Sequence, residues 1–243
     1  MARMEGRGIL SSLPPNGLAV VVGASGAIGG ALLDLLREDK SLAGVVGLSR
    51  SSTPPLDLTS EATVREIARH VAERGISLRV VIDATGFLHG GGFTPEKSWR
   101  QLDPAHMAKA FAVNTIGPAL LIKHLLPLLP RAGKSVFATL SAKVGSIGDN
   151  HLGGWYSYRA SKAALNQIVR TAAIGLKRRQ PEAVCVALHP GTVESPLSAP
   201  FGRSGLDVQS PATAAERLVG VIDTLTPASS GGFFDYRGTA LPW

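Results

Sequence analysis

One cysteine, Cys185, stands in a chain of 243 residues, so neither an intramolecular disulfide nor a multi-cysteine zinc site can form, which suits a reducing interior compartment. The six histidines (His70, His89, His106, His124, His151 and His189) contain no HExxH pattern and no close pair on one helical face, which leaves a metal site without support. Aromatic residues make up 5%, and none interleave with basic residues as a base-stacking platform requires. Charged residues reach 18%, below the roughly 25% of ordinary soluble domains, but hydrophobic residues reach 44%, which excludes intrinsic disorder. No run approaches about 18 uninterrupted apolar residues, and the apolar part of the N-terminal MARMEGRGILSSLPPNG is too short for a signal peptide. The expectation is a cytoplasmic protein with no membrane and no nucleic-acid partner.

Glycine, by contrast, is plentiful: 28 residues lie between apolar runs with no G-X-Y period, which points to tight turns and close backbone contacts. The formal charge is +7, with basic residues scattered and their densest cluster, Lys177, Arg178 and Arg179, near a helix end where cations interact favourably with the macrodipole. A positive field of this kind also suits a small polyanionic ligand such as a phosphorylated dinucleotide.

Short apolar runs alternate with helix-period segments without repeats or a linker, so residues 16–243 read as one domain behind a flexible N-terminal segment, residues 1–15. Leu18 to Val22 is a strand, followed by Ile28, Ala31, Leu32, Leu35 and Leu36 at helical spacing. Val45 to Ser49 and Arg79 to Ala84 are further strands, flanking a helix after the capping candidates Thr59 and Ser60. A long helix starts near Pro104 and runs on towards Leu129, and Lys134 to Ser141 follows as a strand. The stripe Leu165, Ile168, Val169, Ala172, Ala173 and Leu176 leads to strand Val184 to His189, a helix opening at Ser210-Pro211, and a closing strand over Phe233 to Tyr236. Such alternation predicts an α/β fold, a doubly wound parallel sheet with helices on both faces, and ligands bound beyond the carboxyl ends of the strands.

Three places carry chemistry. Gly23-Ala24-Ser25-Gly26-Ala27-Ile28-Gly29 sits between the first strand and first helix, where glycines let backbone N–H groups approach a pyrophosphate at a helix N-terminus. After the second strand, Ser49-Arg50-Ser51 has no carboxylate for a ribose 2′-hydroxyl, and Arg50 instead suits a 2′-phosphate, which predicts NADP(H) over NAD(H). Tyr158 and Lys162 stand at i, i+4 and share one helix face, so an ammonium can lie near a phenol whose ordinary pKa of about 10 makes it a poor acid or base at neutral pH.

With these, Asp57-Leu58-Thr59, Phe111-Ala112-Val113-Asn114, YRASK and His189-Pro190-Gly191-Thr192-Val193 occur in an order and spacing that resembles the short-chain dehydrogenase/reductase family over residues 16 to 240. The segments SAKVGSIGDN and GGWYSYRASKAALN look most like the branch around the C-factor-like proteins. The resemblance implies a Rossmann-like fold and an NADP(H)-dependent oxidoreductase acting on a carbonyl or alcohol. Tyr158 would be general acid/base, Lys162 would hold the nicotinamide ribose and lower the pKa of Tyr158, and Asn114 would anchor a water of the proton relay. Gly23, Ser25, Gly26, Ala27, Ile28 and Gly29 would hold the pyrophosphate, Asp57 the adenine amino group, and Gly86, Pro190, Gly191, Val193 and Ser195 the nicotinamide side. It also implies a homodimer or homotetramer. The alternative is a dinucleotide-binding signalling or regulatory protein with little turnover.

The chain departs from the family's pattern in places. The usual Asn-rich segment is Asp83-Ala84-Thr85-Gly86, the threonine after the Pro-Gly turn is Ser195, and the six residues between Arg50 and Asp57 leave no room for a helix. The carbonyl-polarising serine has two candidate registers: counting back from Tyr158 lands on Gly145 beside Ser146, whereas the strand places Ser141 at its carboxyl end, and Ser141 is the expectation. His151, Trp155, Tyr156 and the segment Ser195 to Ser210 are candidate pocket wall and lid.

Overall fold

The computed structural model describes residues 8–201 and 207–243. Six parallel strands form the central sheet in the order β2-β1-β3-β4-β5-β8, with β1 at Gly17–Val22, β2 at Leu42–Leu48, β3 at Leu78–Asp83, β4 at Ser135–Leu140, β5 at Ala183–His189 and β8 at Phe233–Asp235. A separate parallel pair joins β6, Thr192–Val193, to β7, Val208–Gln209. The helices are α1 (Ala27–Arg37), α2 (Glu61–Ala72), α3 (Pro104–Phe111), α4 (Gly117–Leu125), α5 (Tyr156–Lys177) and α6 (Pro211–Thr224). The chain order reverses between β1 and β3, and this is the switch point at which a crevice opens beyond the strand ends.

The strands are mostly apolar because both faces are covered. On one face Phe137, Cys185 and Ala187 meet α5 through Leu165 and Val169 and α4 through Leu121 and Leu125. On the other, Val136, Ala138 and Leu140 meet α1 and α6 through Leu32, Leu36, Leu218 and Ile222. The expected long helix after Pro104 is a broken rod: α3, a π-helical turn at Ala112–Ile116, α4, and a 3-10 turn at Leu126–Leu128. By length and composition this rod could cross a membrane, but it packs against α2 and α5 as a core helix. Asp103 and Ser210 cap α3 and α6 by accepting from His106 N–H and Thr213 N–H, whereas Ser60 makes no side-chain cap to α2.

The N-terminal segment requires a correction. Residues 8–15 are held rather than loose, because Leu10 and Leu13 are buried in the α1/α6 face. Leu10 N–H donates to Asp39 Oδ2 at 2.9 Å, and Ser12 N–H to Asp223 Oδ1 at 2.8 Å. The rest of that expectation, residues 1–7, lies outside the described residues, as do residues 202–206 of the expected lid.

Candidate active site

The first turn has the form a pyrophosphate cradle needs. Gly23 takes φ +82°, and a Cβ on Gly29 would fall 2.1 Å from the Gly23 carbonyl oxygen, so α1 can approach β1 only without side chains there. Gly26 is the N-cap of α1 and makes no side-chain cap, and the first turn carries no acid, so no side chain among the described residues claims the helix's leading N–H groups. Ser25, Ala27 and Ile28 line the same turn, with Ser25 exposed. This cradle fits a dinucleotide phosphate.

Beyond β2 the chain folds back without a helix: Leu56 N–H donates to Ser49 O at 2.9 Å, and Leu56 is buried. The return brings Asp57 near Arg50. Hydrogen bonds from the Thr59 hydroxyl and N–H hold the exposed Asp57 carboxyl below its ordinary range, with Lys109 and Arg50 adding positive field. Both bonds go to Oδ1, leaving Oδ2 without one among the described residues. Arg50 is exposed and has no hydrogen-bond or ion-pair partner among the described residues.

Across the switch point, Asn114 in the π-helical turn is fully buried; its Oδ1 accepts from Phe87 N–H at 2.7 Å while its Nδ2 donates to Phe87 O at 2.8 Å and Ser161 Oγ at 3.0 Å. Lys162 is buried and donates from Nζ to Leu140 O at 2.7 Å, with Nζ 6.0 Å from the Tyr158 ring centre. A Cβ on Gly86 would lie 3.9 Å from both Asn114 Oδ1 and Lys162 Nζ. Gly86, Asn114, Tyr158 and Lys162 therefore lie close together. Burial pushes the Tyr158 phenol up to about 12 and the Lys162 ammonium down to about 8, the latter opposed by Asp83. In this chain alone the phenol rests protonated.

The first turn of α5, which carries Tyr158, is set by a residue the sequence reading missed. Gly153, Gly154 and Trp155 take successive positive φ values of 63°, 66° and 54°, turning the chain into the helix. Glu96 spans that turn: its backbone O accepts from Trp155 N–H at 2.5 Å, and its carboxylate accepts from Ser157 N–H at 3.2 Å and from the Ser157 hydroxyl. His106 Nδ1 lies 3.3 Å from the same carboxylate, with its ring stacked on Phe93. Glu96 thus caps a helix whose own N-cap, Trp155, offers no side chain. Replacing Glu96 by Ala leaves Ser157 and His106 buried without that partner, and an expected loss of about 2–3 kcal/mol in urea unfolding measures it.

Ser141 follows directly on β4 and is buried, and its hydroxyl donates to Asn166 Oδ1 on α5 at 2.7 Å. The pleat explains this, since Ser141 shares a face with Phe137, which packs against α5. Ser146 is engaged elsewhere, accepting from Asp149 N–H at 3.1 Å. The turn after β5 keeps Gly191 at φ +79°, where a Cβ would fall 2.6 Å from Gln209 Nε2. Gln209 donates to Pro190 O, Val193 pairs with Gln209 across β6 and β7, and Ser195 Oγ sits 3.1 Å from Ser198 Oγ. Over the site, Trp155 lies 6.2 Å from the Tyr158 ring and 5.1 Å from Phe201, which contacts His89 at 5.4 Å. His89 and Phe201 carry no sequence signal of this wall, whereas His151 is exposed at the loop surface.

Comparison with known proteins places the chain. The family model described as enoyl-(acyl carrier protein) reductase matches residues 31–223. The chain is 35% identical over 191 residues to the 1-hydroxy-2-glutathionyl-2-methyl-3-butene dehydrogenase of Rhodococcus sp. (strain AD45), covering 78% of this chain and 79% of that protein. It is 40% identical over 144 residues to the C-signal protein of Myxococcus xanthus, covering 58% of this chain and 81% of that protein. Its fold matches that of the NADPH-bound carbonyl reductase from chicken fatty liver with a TM-score of 0.82 at 25% identity, over 95% of this chain and 100% of that one. The glycine cradle at the switch point and the matched length together make this chain a member of the short-chain dehydrogenase/reductase family, an oxidoreductase.

Proposed function

We propose that the protein is an NADP(H)-dependent carbonyl reductase or alcohol dehydrogenase in which Tyr158 transfers the proton. The observation that carries this reading is the convergence of Tyr158, Lys162 and Asn114 at the strand ends, opposite the uncapped N-terminus of α1. A nicotinamide bound here supplies or accepts the hydride. The chain's own residues do the rest. Tyr158, protonated at rest because burial raises its pKa to about 12, gives its proton to the carbonyl oxygen in reduction and takes it back in oxidation. Lys162 holds the ribose with its ammonium and favours the phenolate whenever Tyr158 has lost its proton. Asn114, fixed to Phe87 on both sides of its amide, holds the water that returns the proton.

The aromatic wall of Trp155, Phe201 and His89 suits a substrate with a planar or apolar body beside its carbonyl. A panel of such aldehydes and ketones, followed by NADPH absorbance, tests the activity, and sedimentation tests the homodimer or homotetramer that accompanies it.

Arg50 is the reason for NADP(H). Its exposed guanidinium is free to grip a 2′-phosphate by two parallel charged bonds, each worth about 1.5–3 kcal/mol net. Fluorescence titration of Arg50→Ala is expected to weaken NADPH by tenfold or more, on the order of one such bond, and to leave NADH unchanged. Equal wild-type affinity for the two cofactors, or a variant that loses both alike, removes Arg50 as the discriminator.

A further inference from the structure

The departure at Asp83 has a structural counterpart. Asp83 ends β3 and is fully buried; its Oδ1 accepts from Thr85 N–H at 3.1 Å and Thr85 Oγ1 at 2.6 Å, and its Oδ2 from Thr139 Oγ1 at 2.7 Å. Thr139 faces Asp83 directly in the β3/β4 register, and the next residue, Leu140, provides the carbonyl that holds Lys162 Nζ at 2.7 Å. That carbonyl is the only hydrogen-bond partner of Lys162 Nζ among the described residues. A buried ammonium with one neutral partner is badly compensated, and Asp83, which makes no direct ion pair with it among the described residues, lies one register position from the Leu140 carbonyl that holds it.

We propose that Asp83 is the buried counter-charge of Lys162, a positioning residue that keeps the ammonium ready to hold the cofactor. The proposal rests on the role assigned to Lys162 above. The neighbouring elements offer no substitute. On α5 itself Tyr158 is a resting phenol. Lys143 is paired with Asp149, His106 on α3 with Glu96, and Lys123 and His124 on α4 with Glu61. On β5, Cys185 is a thiol raised to about 12 by burial, and His189 is driven down to about 4, also by burial. Burial drives Lys162 and Asp83 alike towards their neutral forms, and the charge of each opposes that drift in the other. An asparagine at position 83 would keep an acceptor oxygen but remove the charge.

The test is a lysine ¹³Cε titration by NMR on the cofactor-free protein, with the Lys162 signal assigned by its absence in Lys162→Met. The wild-type midpoint is expected near 8, and Asp83→Asn is expected to lower it by about one pH unit or more. NADPH titrations across the same range should weaken as pH rises through each midpoint, earlier in Asp83→Asn, with the two proteins alike at low pH. The wild type gives a second measurement that needs no variant, since the Asp83 ¹³Cγ signal must report a carboxylate throughout the range in which Lys162 titrates. An unchanged Lys162 midpoint, or a protonated Asp83 at neutral pH, overturns the proposal. A wild type that binds no NADPH at any pH overturns the cofactor reading instead and leaves the lysine titration standing.

Discussion

Tyr158→Phe is expected to lower reductase turnover by about three orders of magnitude, within the range a positioned acid or base contributes. The phenyl ring keeps its packing against Trp155, so NADPH affinity should be unchanged and thermal unfolding nearly so. Only the titrating hydroxyl is gone. Lys162→Ala should differ in kind, losing cofactor affinity as well as rate, because the ammonium held on the Leu140 carbonyl is the group proposed to hold the ribose. Stopped-flow absorbance at saturating NADPH separates the two effects. A Tyr158→Phe protein that still reduces an accepted carbonyl at near wild-type rate removes Tyr158 as the proton donor.

Gly29→Ala is expected to be the most damaging glycine-to-alanine change among the described residues. The new Cβ would sit 2.1 Å from Gly23 O and 2.7 Å from Gly23 C, both backbone atoms of the turn itself, so α1 must lift away from β1. Overpacking against rigid backbone costs about 3 kcal/mol or more, and the displaced helix takes the phosphate site with it. The neighbouring Gly30 is the control. Its nearest atom would be Ala24 O at 3.5 Å, an ordinary contact, and Gly30→Ala should be neutral or stabilising by up to about 1 kcal/mol. Urea unfolding of the two variants, with NADPH fluorescence on each, reads both consequences. Equal behaviour of the pair would mean that the close approach of α1 to β1 is not what the glycine serves.

Features whose physics is local could be read from the residues. The glycine turn, the i, i+4 pair on α5 and the helix starts at Pro104 and Ser210-Pro211 each depend on a few neighbouring positions and stand where spacing put them, whereas the capping candidate Ser60 makes no side-chain cap. The direction of the Ser141 hydroxyl could not be read in the same way. β4 is buried at every position, so it has no polar alternation to tell which face a terminal residue takes, and the pleat turned the hydroxyl towards Asn166. Glu96 escaped notice for another reason: its partner Ser157 lies 61 residues away, and a single acid in a loop carries no periodicity. Leu10 and Leu13 were hidden in a segment too short and too polar to register as structure, yet two apolar side chains and two aspartates suffice to seat it.

The π-helical turn at Ala112–Ile116 acts as a phase shifter within the rod. An α-helix advances about 100° per residue, so a helix run straight from α3 into α4 would have one angular setting to satisfy two clients. On one side Asn114 must face Phe87 and Ser161; on the other, Leu121 and Leu125 must face the core while Gly117 passes Leu58, where a Cβ would come within 2.9 Å of the leucine's own. The wide turn absorbs the angular difference between them. Deleting one residue there would restore regular α-helical bonding and rotate α4 by about a third of a turn against α3, withdrawing either the amide from the site or the leucines from the core. The rod is thus intolerant of length change in a way that no count of its buried side chains would reveal.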